Sequence, residues 1–312
     1  MAGRRRRSAL QACTAALTAV ALFAAPVAHA AGAGDWRSVR IDVKRVQAAG
    51  TTFAWSELGT GQTLILLNGT ASPMNEWDPA FLAGLAAANR VVIFDYPGLG
   101  DSGRAPSTWS FDSAADWIAD FAAKVAPGER VNLLGWSMGG FIAQQLAQRH
   151  PELLDSVVLA ATNPGGNQAV LGPRWVQEID SSSSSDSDYV RTNYPAGSRT
   201  AGWRFIHRLE VAIDTGAYPP VDTPASTLNA MVAAEDPWLR SNANLRGLAA
   251  VRAPTLVIDG AADVITPPVN SRRIAAAVPG STLTLVPASG HSFIFQLPAQ
   301  VSSAINDFLA TH

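Results

Sequence analysis

The chain has 312 residues, 47% of them hydrophobic, and a formal net charge of −2. This length can bury a large core, and the absence of a basic cluster after residue 7 argues against nucleic acid or a stable membrane association as partners. The single cysteine, Cys13, lies in the predicted leader, so we expect neither a disulfide nor thiol chemistry in the mature protein.

Residues 1–30 have the organisation of an export signal peptide. Four arginines at positions 4–7 precede an apolar stretch at 15–25, and an Ala-x-Ala pattern ends at Ala30. The apolar stretch is too short for a convincing membrane span. We therefore expect cleavage after Ala30 and a secreted mature protein, with the twin-arginine route left open by the paired arginines.

Apolar and amphipathic stretches alternate along the first half of the mature chain. Near-alternating patterns at 39–43 and 52–58 predict an antiparallel hairpin at a sheet edge. Strands are then predicted at 64–67, 91–95, 131–134 and 156–161, and helices at about 79–88, 112–125 and 138–150. This alternation predicts right-handed crossovers and a mostly parallel sheet with helices on both faces.

The pentapeptide Gly-Trp-Ser-Met-Gly at 135–139 lies between a predicted strand and a predicted helix. This arrangement is typical of a nucleophile elbow, a tight turn that exposes a serine hydroxyl above the sheet. The two glycines avoid a collision with the neighbouring backbone where the chain reverses. Ser137 is therefore the predicted nucleophile, and a structural serine at a tight turn is the alternative.

An oxyanion at such a site needs two N–H donors that are already in place. One is the backbone N–H of Met138, the residue after the nucleophile. The other is predicted in the loop after the strand at 64–67, where Gly69 lets the backbone turn and the Thr70 N–H points at the substrate. An ordinary turn at the end of a strand is the alternative for this loop.

Residues 164–248 interrupt the alternation of strands and helices. A connection of this length is not expected in a compact α/β domain, so we predict an inserted lid between core segments 31–163 and 249–312. Polar residues at 181–188 predict a flexible stretch, and helical patterns follow at about 199–213 and 224–233.

Several apolar side chains on the lid and beside the elbow either pack the lid onto the core or line a substrate pocket. The sequence leaves both roles open. The candidates for the pocket are Met74, Trp77, Phe141, Trp203 and Met231.

Two further strands at 254–259 and 282–286 bring the predicted sheet to eight strands, and a helix at 298–310 closes it. A serine nucleophile needs a base, and the base needs an orienting acid. His291 follows the last strand and is the predicted base, because the other four histidines lie in the leader, at a helix end, in the insertion or at the C-terminus. Asp263, on the preceding loop, is the predicted acid, and Asp259 at the strand end is the alternative.

These parts together resemble the α/β-hydrolase family, in its branch with a lid between core strands and with haloperoxidase-like relatives. The matching parts are Asn68-Gly69, the segment at 94–102, the elbow, and the loops of the predicted acid and base, in the family's order. Members usually carry His-Gly at 68–69, a difference that affects the side-chain support of the loop and not its backbone donor. Some members take the acid from one strand earlier, where Asn163 cannot hold an imidazolium by charge.

The resemblance implies hydrolysis through an acyl-enzyme, with no metal and no organic cofactor. We expect an exported serine hydrolase that cleaves small or medium carboxylic esters, with the lid favouring an enclosed apolar site. The alternatives are a cofactor-free haloperoxidase or perhydrolase-like enzyme, a C–C bond hydrolase and, in another class, a ligand-binding protein on a hydrolase scaffold. The acyl and alcohol specificity, the stereochemical preference and the oligomeric state are not encoded in any pattern found.

Overall fold

The structure is a computed structural model that describes residues 35–179, 185–221 and 223–312. The predicted signal peptide, residues 1–30, lies outside the described residues and stays a prediction. Most of the serine-rich stretch of the insertion, at 181–184, lies outside them as well.

The described residues contain eight strands in one sheet, as the alternation of apolar stretches predicts. The strands are β1 (Lys44–Ala48), β2 (Thr51–Leu58), β3 (Thr63–Leu67), β4 (Arg90–Phe94), β5 (Val131–Trp136), β6 (Leu154–Ala160), β7 (Thr255–Gly260) and β8 (Thr282–Val286). Their order in space is β1-β2-β4-β3-β5-β6-β7-β8. The pairings of β2 with β1 and β4 are antiparallel and the others are parallel, so the mostly parallel sheet is confirmed.

Helices connect the strands and cover the sheet. In the described part of the chain they are α1 (Pro79–Ala86), α2 (Phe111–Val125), α3 (Met138–Arg149), α4 (Arg174–Ile179), α5 (Asp186–Asn193), α6 (Arg199–Asp214), α7 (Ala225–Arg240), α8 (Ala243–Gly247), α9 (Val269–Ala277), α10 (Phe293–Gln296) and α11 (Pro298–Ala310). Within those bounds, no helix is long and apolar enough to cross a membrane.

The central strands are buried on both faces, which is why their sequences are continuous apolar runs. In β3, Ile65 and Leu67 belong to the core cluster shared with α2 and α3, whereas Leu64 and Leu66 belong to the cluster shared with α1 and α11. Burying each such side chain contributes about 1.5–3 kcal/mol. This two-sided core fixes the carboxyl ends of β5, β7 and β8, and the loops after these strands carry the predicted nucleophile, acid and base.

The first strand of the edge hairpin lies at 44–48, and the prediction of a strand at 39–43 is wrong. A two-residue turn at Ala49 and Gly50 has positive φ at both positions (50° and 77°), the geometry that joins paired strands most tightly. This turn pairs Ala48 with Thr51 and so sets the register. The apolar residues at 39 and 41 are buried instead against the insertion, where the Ile41 N–H donates to the Ala217 carbonyl at 2.9 Å.

The insertion between β6 and β7 is mostly helical. Its predicted helices are found as α6 and α7, and α7 is longer than predicted because it continues through Pro237. The described part of the predicted flexible stretch is ordered as a helix start: the Ser185 hydroxyl accepts from the Asp188 N–H, which caps α5.

Candidate active site

Ser137 is the single residue between β5 and α3. Its backbone has φ 55° and ψ −122°, a conformation that residues with a side chain avoid. The turn is held by the Ser137 N–H, which donates to the Ala160 carbonyl at 3.0 Å, and by the Ser137 carbonyl, which accepts from the Gly140 N–H and the Thr162 hydroxyl at 2.9 Å each. The side chain is half-buried at the carboxyl edge of the sheet.

The two glycines of the elbow have the steric function that the sequence predicts. A Cβ at Gly135 would lie 2.4 Å from the Gly139 carbonyl oxygen, and a Cβ at Gly139 would lie 2.1 Å from the Leu67 carbonyl oxygen. Neither separation is possible without moving backbone. The elbow therefore packs directly against the end of β3, where the predicted oxyanion loop begins.

The structure brings together the predicted base and acid. His291 follows β8, Asp263 follows β7, and their Nδ1 and Oδ2 atoms are 2.7 Å apart in a buried contact. Asp263 also accepts from the Ile265 and Thr266 N–H groups at 2.7 and 3.0 Å and from the Thr266 hydroxyl at 2.9 Å. Burial alone would raise the pKa of Asp263, but the charge of His291 and these hydrogen bonds outweigh it and hold that pKa below its ordinary value.

Among the described residues, no hydrogen bond joins Asp259, the alternative acid, to His291. Its Oδ2 accepts from the Ser271 hydroxyl at 2.6 Å, and the side chain is fully buried. Burial, with the neighbouring charge of Asp263, raises the pKa of Asp259 well above its ordinary value. The residue at the earlier position, Asn163, accepts from the Trp238 indole N–H at 3.0 Å and so holds the insertion to the core.

Trp136, the residue before the predicted nucleophile, contacts His291. The Trp136 indole N–H donates to the His291 carbonyl at 3.2 Å, and the two rings lie 5.3 Å apart. Among the described residues, no hydrogen bond connects the Ser137 hydroxyl with the His291 ring. Catalytic hydrogen bonds are often long in a structure without substrate.

The two predicted oxyanion donors flank the elbow. Met138 is the first residue of α3, where a backbone N–H has no partner within its own helix and the helix dipole favours negative charge. The loop before Thr70 is held by Asn68, whose side chain accepts from the Gly69 N–H at 2.9 Å and donates to the Pro73 carbonyl at 3.0 Å. Asn68 thus supplies side-chain support where relatives are expected to have histidine.

The pocket residues predicted from sequence pack in the core in this structure. Met74, Trp77 and Met231 have no exposed surface. Phe141 is nearly buried and stacks on the ring of Trp238 in the insertion, with ring centroids 5.2 Å apart. These four side chains therefore have the packing role that the sequence left open.

Trp203, the fifth candidate for the pocket, does not pack in the core. Its side chain is 48% exposed, and it lies at helical spacing from His207 and Glu210, which are also exposed. These three residues share the outer face of α6. An aromatic residue in an insertion is a weak signal, because sequence does not show which face of the helix is turned inwards.

Two carboxylates near the oxyanion loop were missed by sequence reasoning. Glu235 of α7 accepts from the Thr70 hydroxyl at 3.3 Å. Glu76 ends a short turn, Met74–Glu76, in the same loop, and its side chain is exposed. The available signal was its position eight residues after Asn68, on the segment that follows the predicted oxyanion donor.

Proteins of known sequence and structure are similar to this chain. The sequence model of the alpha/beta hydrolase family matches residues 64–304. The chain is 29% identical over 259 residues to the pimeloyl-[acyl-carrier protein] methyl ester esterase of Nitrosomonas europaea, covering 80% of this chain and 96% of that protein. It is 28% identical over 268 residues to the "Putative non-heme bromoperoxidase BpoC" of Mycobacterium tuberculosis, covering 83% and 98%.

Two further matches are a longer protein that the chain covers only in part and a solved structure with the same fold. The biotin biosynthesis bifunctional protein BioHC of Teredinibacter turnerae is 28% identical over 261 residues, and the chain spans only 44% of its length. The solved structure of an alpha/beta hydrolase fold protein from Chitinophaga pinensis matches with a TM-score of 0.74 at 20% identity, covering 89% of this chain and 100% of that one. The family match extends from β3 into α11 and includes every predicted catalytic residue, and the chain belongs to the alpha/beta hydrolase family.

Proposed function

We propose that the protein is an exported serine hydrolase that cleaves small or medium carboxylic esters through an acyl-enzyme on Ser137. The observation that carries the proposal is the buried contact of 2.7 Å between His291 Nδ1 and Asp263 Oδ2, next to a serine held in a strained turn. Asp263 binds Nδ1, which leaves Nε2 of the same ring as the proton acceptor.

In the proposed reaction, His291 Nε2 takes the Ser137 proton while Oγ forms a bond to the ester carbonyl carbon. The N–H groups of Met138 and Thr70 stabilise the resulting oxyanion. His291 then gives the proton to the leaving alcohol as the C–O bond breaks. Water, deprotonated by the same ring, attacks the acyl-enzyme and releases the acid and free Ser137. Asp263 keeps the ring oriented and stabilises the imidazolium.

The ester as substrate class is supported by the name of the Nitrosomonas europaea relative, a methyl ester esterase that the chain matches over 96% of its length. Export is supported by the sequence of residues 1–30 alone. The half-buried position of Ser137 supports small or medium esters over polymers.

The test is covalent labelling of the mature protein with a fluorophosphonate, followed by peptide mass spectrometry. We expect a single modification at Ser137, its loss in Ser137→Ala, and sustained release of p-nitrophenol from p-nitrophenyl esters by the native protein only. Labelling at another residue contradicts the proposal, and so does the absence of ester turnover by protein that the fluorophosphonate can label at Ser137. The second outcome would favour the ligand-binding alternative.

Similarity to BpoC favours one second candidate, a cofactor-free perhydrolase activity, because the match covers 98% of that protein. Here peroxide would replace water in the attack on the acyl-enzyme and release a peracid. Bromination of monochlorodimedone in acetate, peroxide and bromide measures this activity. The candidate is rejected if the native protein brominates no faster than Ser137→Ala.

A further inference from the structure

The loop that carries His291 is held by the insertion as well as by the core. His291 lies between Gly290 and Ser292, and Asn193, the last residue of α5, contacts both of these neighbours. The Ser292 hydroxyl donates to the Asn193 side-chain oxygen at 2.9 Å, and the Ser292 N–H donates to the Asn193 carbonyl at 3.3 Å. A Cβ at Gly290 would lie only 2.3 Å from the same carbonyl oxygen. The end of α5 therefore packs against the backbone on both sides of the predicted base.

The Asn193 side chain is fixed in one orientation. It is buried, and its amide nitrogen donates to the Tyr189 carbonyl and to the Thr192 hydroxyl at 3.1 Å each. A carbonyl oxygen can only accept, so the nitrogen must face Tyr189 and the amide oxygen must face Ser292. Turning the amide over would leave buried polar groups without partners, which is costly. Asn193 is thus a rigid anchor for Ser292.

The Ser292 hydroxyl is bonded twice to α5. It is fully buried, and the Tyr189 phenol oxygen lies 2.9 Å from it. The hydroxyl has one proton, which it gives to Asn193, so the Tyr189 phenol is the donor in the second bond. Both bonds join one helix of the insertion to the residue that follows His291.

The core holds the other residues of this loop. The Trp136 indole N–H donates to the His291 carbonyl at 3.2 Å, and the Ala262 N–H donates to the Ser289 carbonyl at 2.8 Å. The backbone at 289 and 291 is therefore fixed from the core, whereas 290 and 292 are fixed from the insertion. The contact of 2.7 Å between the His291 ring and Asp263 depends on the position of this backbone.

We propose that Asn193 is a positioning residue for the general base, which holds the backbone around His291 so that the imidazole stays in place for Asp263 and Ser137. The inference rests on the proposed function, because it concerns the base of the same reaction. A misplacement of about 1 Å at a catalytic group can lower the rate about 100-fold. The insertion is then a part of the catalytic apparatus and not only a cover.

Asn193→Ala tests this role, because it removes the acceptor of the Ser292 hydroxyl and keeps the backbone bond. We expect kcat for p-nitrophenyl esters to fall at least about tenfold while KM changes less than about twofold, since the ring acts in proton transfer and not in ester binding. Ser292→Ala removes the same bond from the other side and should lower kcat by a similar factor. In the double variant the two effects should be far from additive.

Asn244→Ala is the matched control. Asn244 is also a buried asparagine of the insertion, and its amide nitrogen donates to the Gln144 side chain and the Pro164 carbonyl at 2.8 Å each. Among the described residues, it forms no hydrogen bond with the loop of His291. Asn244→Ala should therefore lose stability in urea denaturation, as Asn193→Ala does, but keep kcat.

Two further measurements distinguish positioning of the base from general loosening. Asn193→Ala should slow fluorophosphonate labelling of Ser137 at least about tenfold in the native background, but should not change the residual rate in the His291→Ala background. The downfield proton NMR resonance of His291 Nδ1–H, bonded to Asp263, should shift or broaden in Asn193→Ala and stay unchanged in Asn244→Ala.

If the native protein hydrolyses esters and is labelled at Ser137, but Asn193→Ala and Ser292→Ala both keep kcat within about twofold, the inference is wrong and the proposed function stands. An equal loss of kcat in Asn244→Ala, or an equal slowing in the His291→Ala background, also overturns it. If Asn193→Ala does not fold, Ser292→Ala, which deletes a single oxygen atom, decides in the same way. If no ester is hydrolysed and Ser137 is not labelled, the proposed function is itself wrong.

Discussion

Ser137 pays a conformational cost that its neighbours do not. A serine at φ 55° is held by three hydrogen bonds, with Ala160, Gly140 and Thr162, and such strain costs about 1–3 kcal/mol. The structure stores it where the hydroxyl must stand clear of the sheet. The cost belongs to the side chain, because glycine adopts the same backbone conformation freely.

Ser137→Gly should therefore unfold at higher denaturant concentration than Ser137→Ala. We expect a difference of roughly 1 kcal/mol after the larger entropy of the unfolded glycine chain is subtracted. Both variants lack the hydroxyl and should be inactive, so stability is the readout. Equal midpoints in chemical denaturation would show that the turn is not strained.

The two aspartates near His291 should respond differently to the same substitution. Asp263→Asn removes the charge that orients the imidazole and should lower kcat by about 10⁴-fold. Asp259→Asn changes a buried side chain that is hydrogen-bonded to Ser271 and not to His291, and it should keep most of the activity. A reversed result in ester hydrolysis would move the acid to Asp259.

The same Asp259→Asn variant should become more stable than the native protein as the pH rises. Burial raises the pKa of Asp259 in the folded state, so the native protein becomes less stable relative to the variant as pH rises above the ordinary carboxyl value of 3.8. The free energy of unfolding, measured from pH 4 to 8, should diverge between the two proteins in that direction. Parallel curves would show that Asp259 ionises normally.

At the level of elements, the insertion is fastened to the core by a few specific contacts. Arg208 of α6 binds Asp78, which caps α1 through the Ala80 N–H at 2.8 Å. The two side chains are 13% and 0% exposed. Breaking a buried pair by removing one partner leaves a charge without compensation.

Arg208→Ala should lower the free energy of unfolding by about 3 kcal/mol because it strands the buried Asp78 carboxylate. Arg204→Ala, an exposed arginine on the same helix, is the control and should change little. Urea denaturation measures both. A small effect for Arg208→Ala would mean that α6 is held by its apolar face alone.

The parallel strands were predictable because burial on both faces requires continuous apolar runs, which 64–67 and 131–134 contain. The contact between Asp263 and His291 was predictable because β7 and β8 are neighbours, so the loops that follow them meet. The first hairpin strand was not, because the alternation at 39–43 is also produced by a segment buried against the insertion. The exposure of Trp203 and of Glu76 was not predictable, because it depends on how the insertion packs on the core.

At the scale of the whole molecule, the proposed export would leave a mature protein without thiols. Cys13 is the only cysteine, and it lies within the predicted signal peptide. After the predicted cleavage, oxidation outside the cell would find no thiol to modify, and the two-sided core would provide the stability.

The secreted protein should begin at Ala31 and contain no cysteine. Mass spectrometry of the intact protein from the culture medium measures the first point. Thermal unfolding with and without a reducing agent, expected to be identical, measures the second. A secreted form that retains Cys13 would overturn the cleavage site.

The insertion touches the oxyanion loop at three places. Glu235 accepts from the Thr70 hydroxyl, the Met231 sulfur accepts from the Ala71 N–H at 3.3 Å, and the Thr223 hydroxyl donates to the Ala71 carbonyl at 3.1 Å. An ester too bulky for α7 to pack over it would enter the cleft but leave the loop that carries Thr70 and Ala71 unsupported. The size of the ester would then change the rate of acylation and not the binding affinity. Oversized esters would behave as competitive inhibitors.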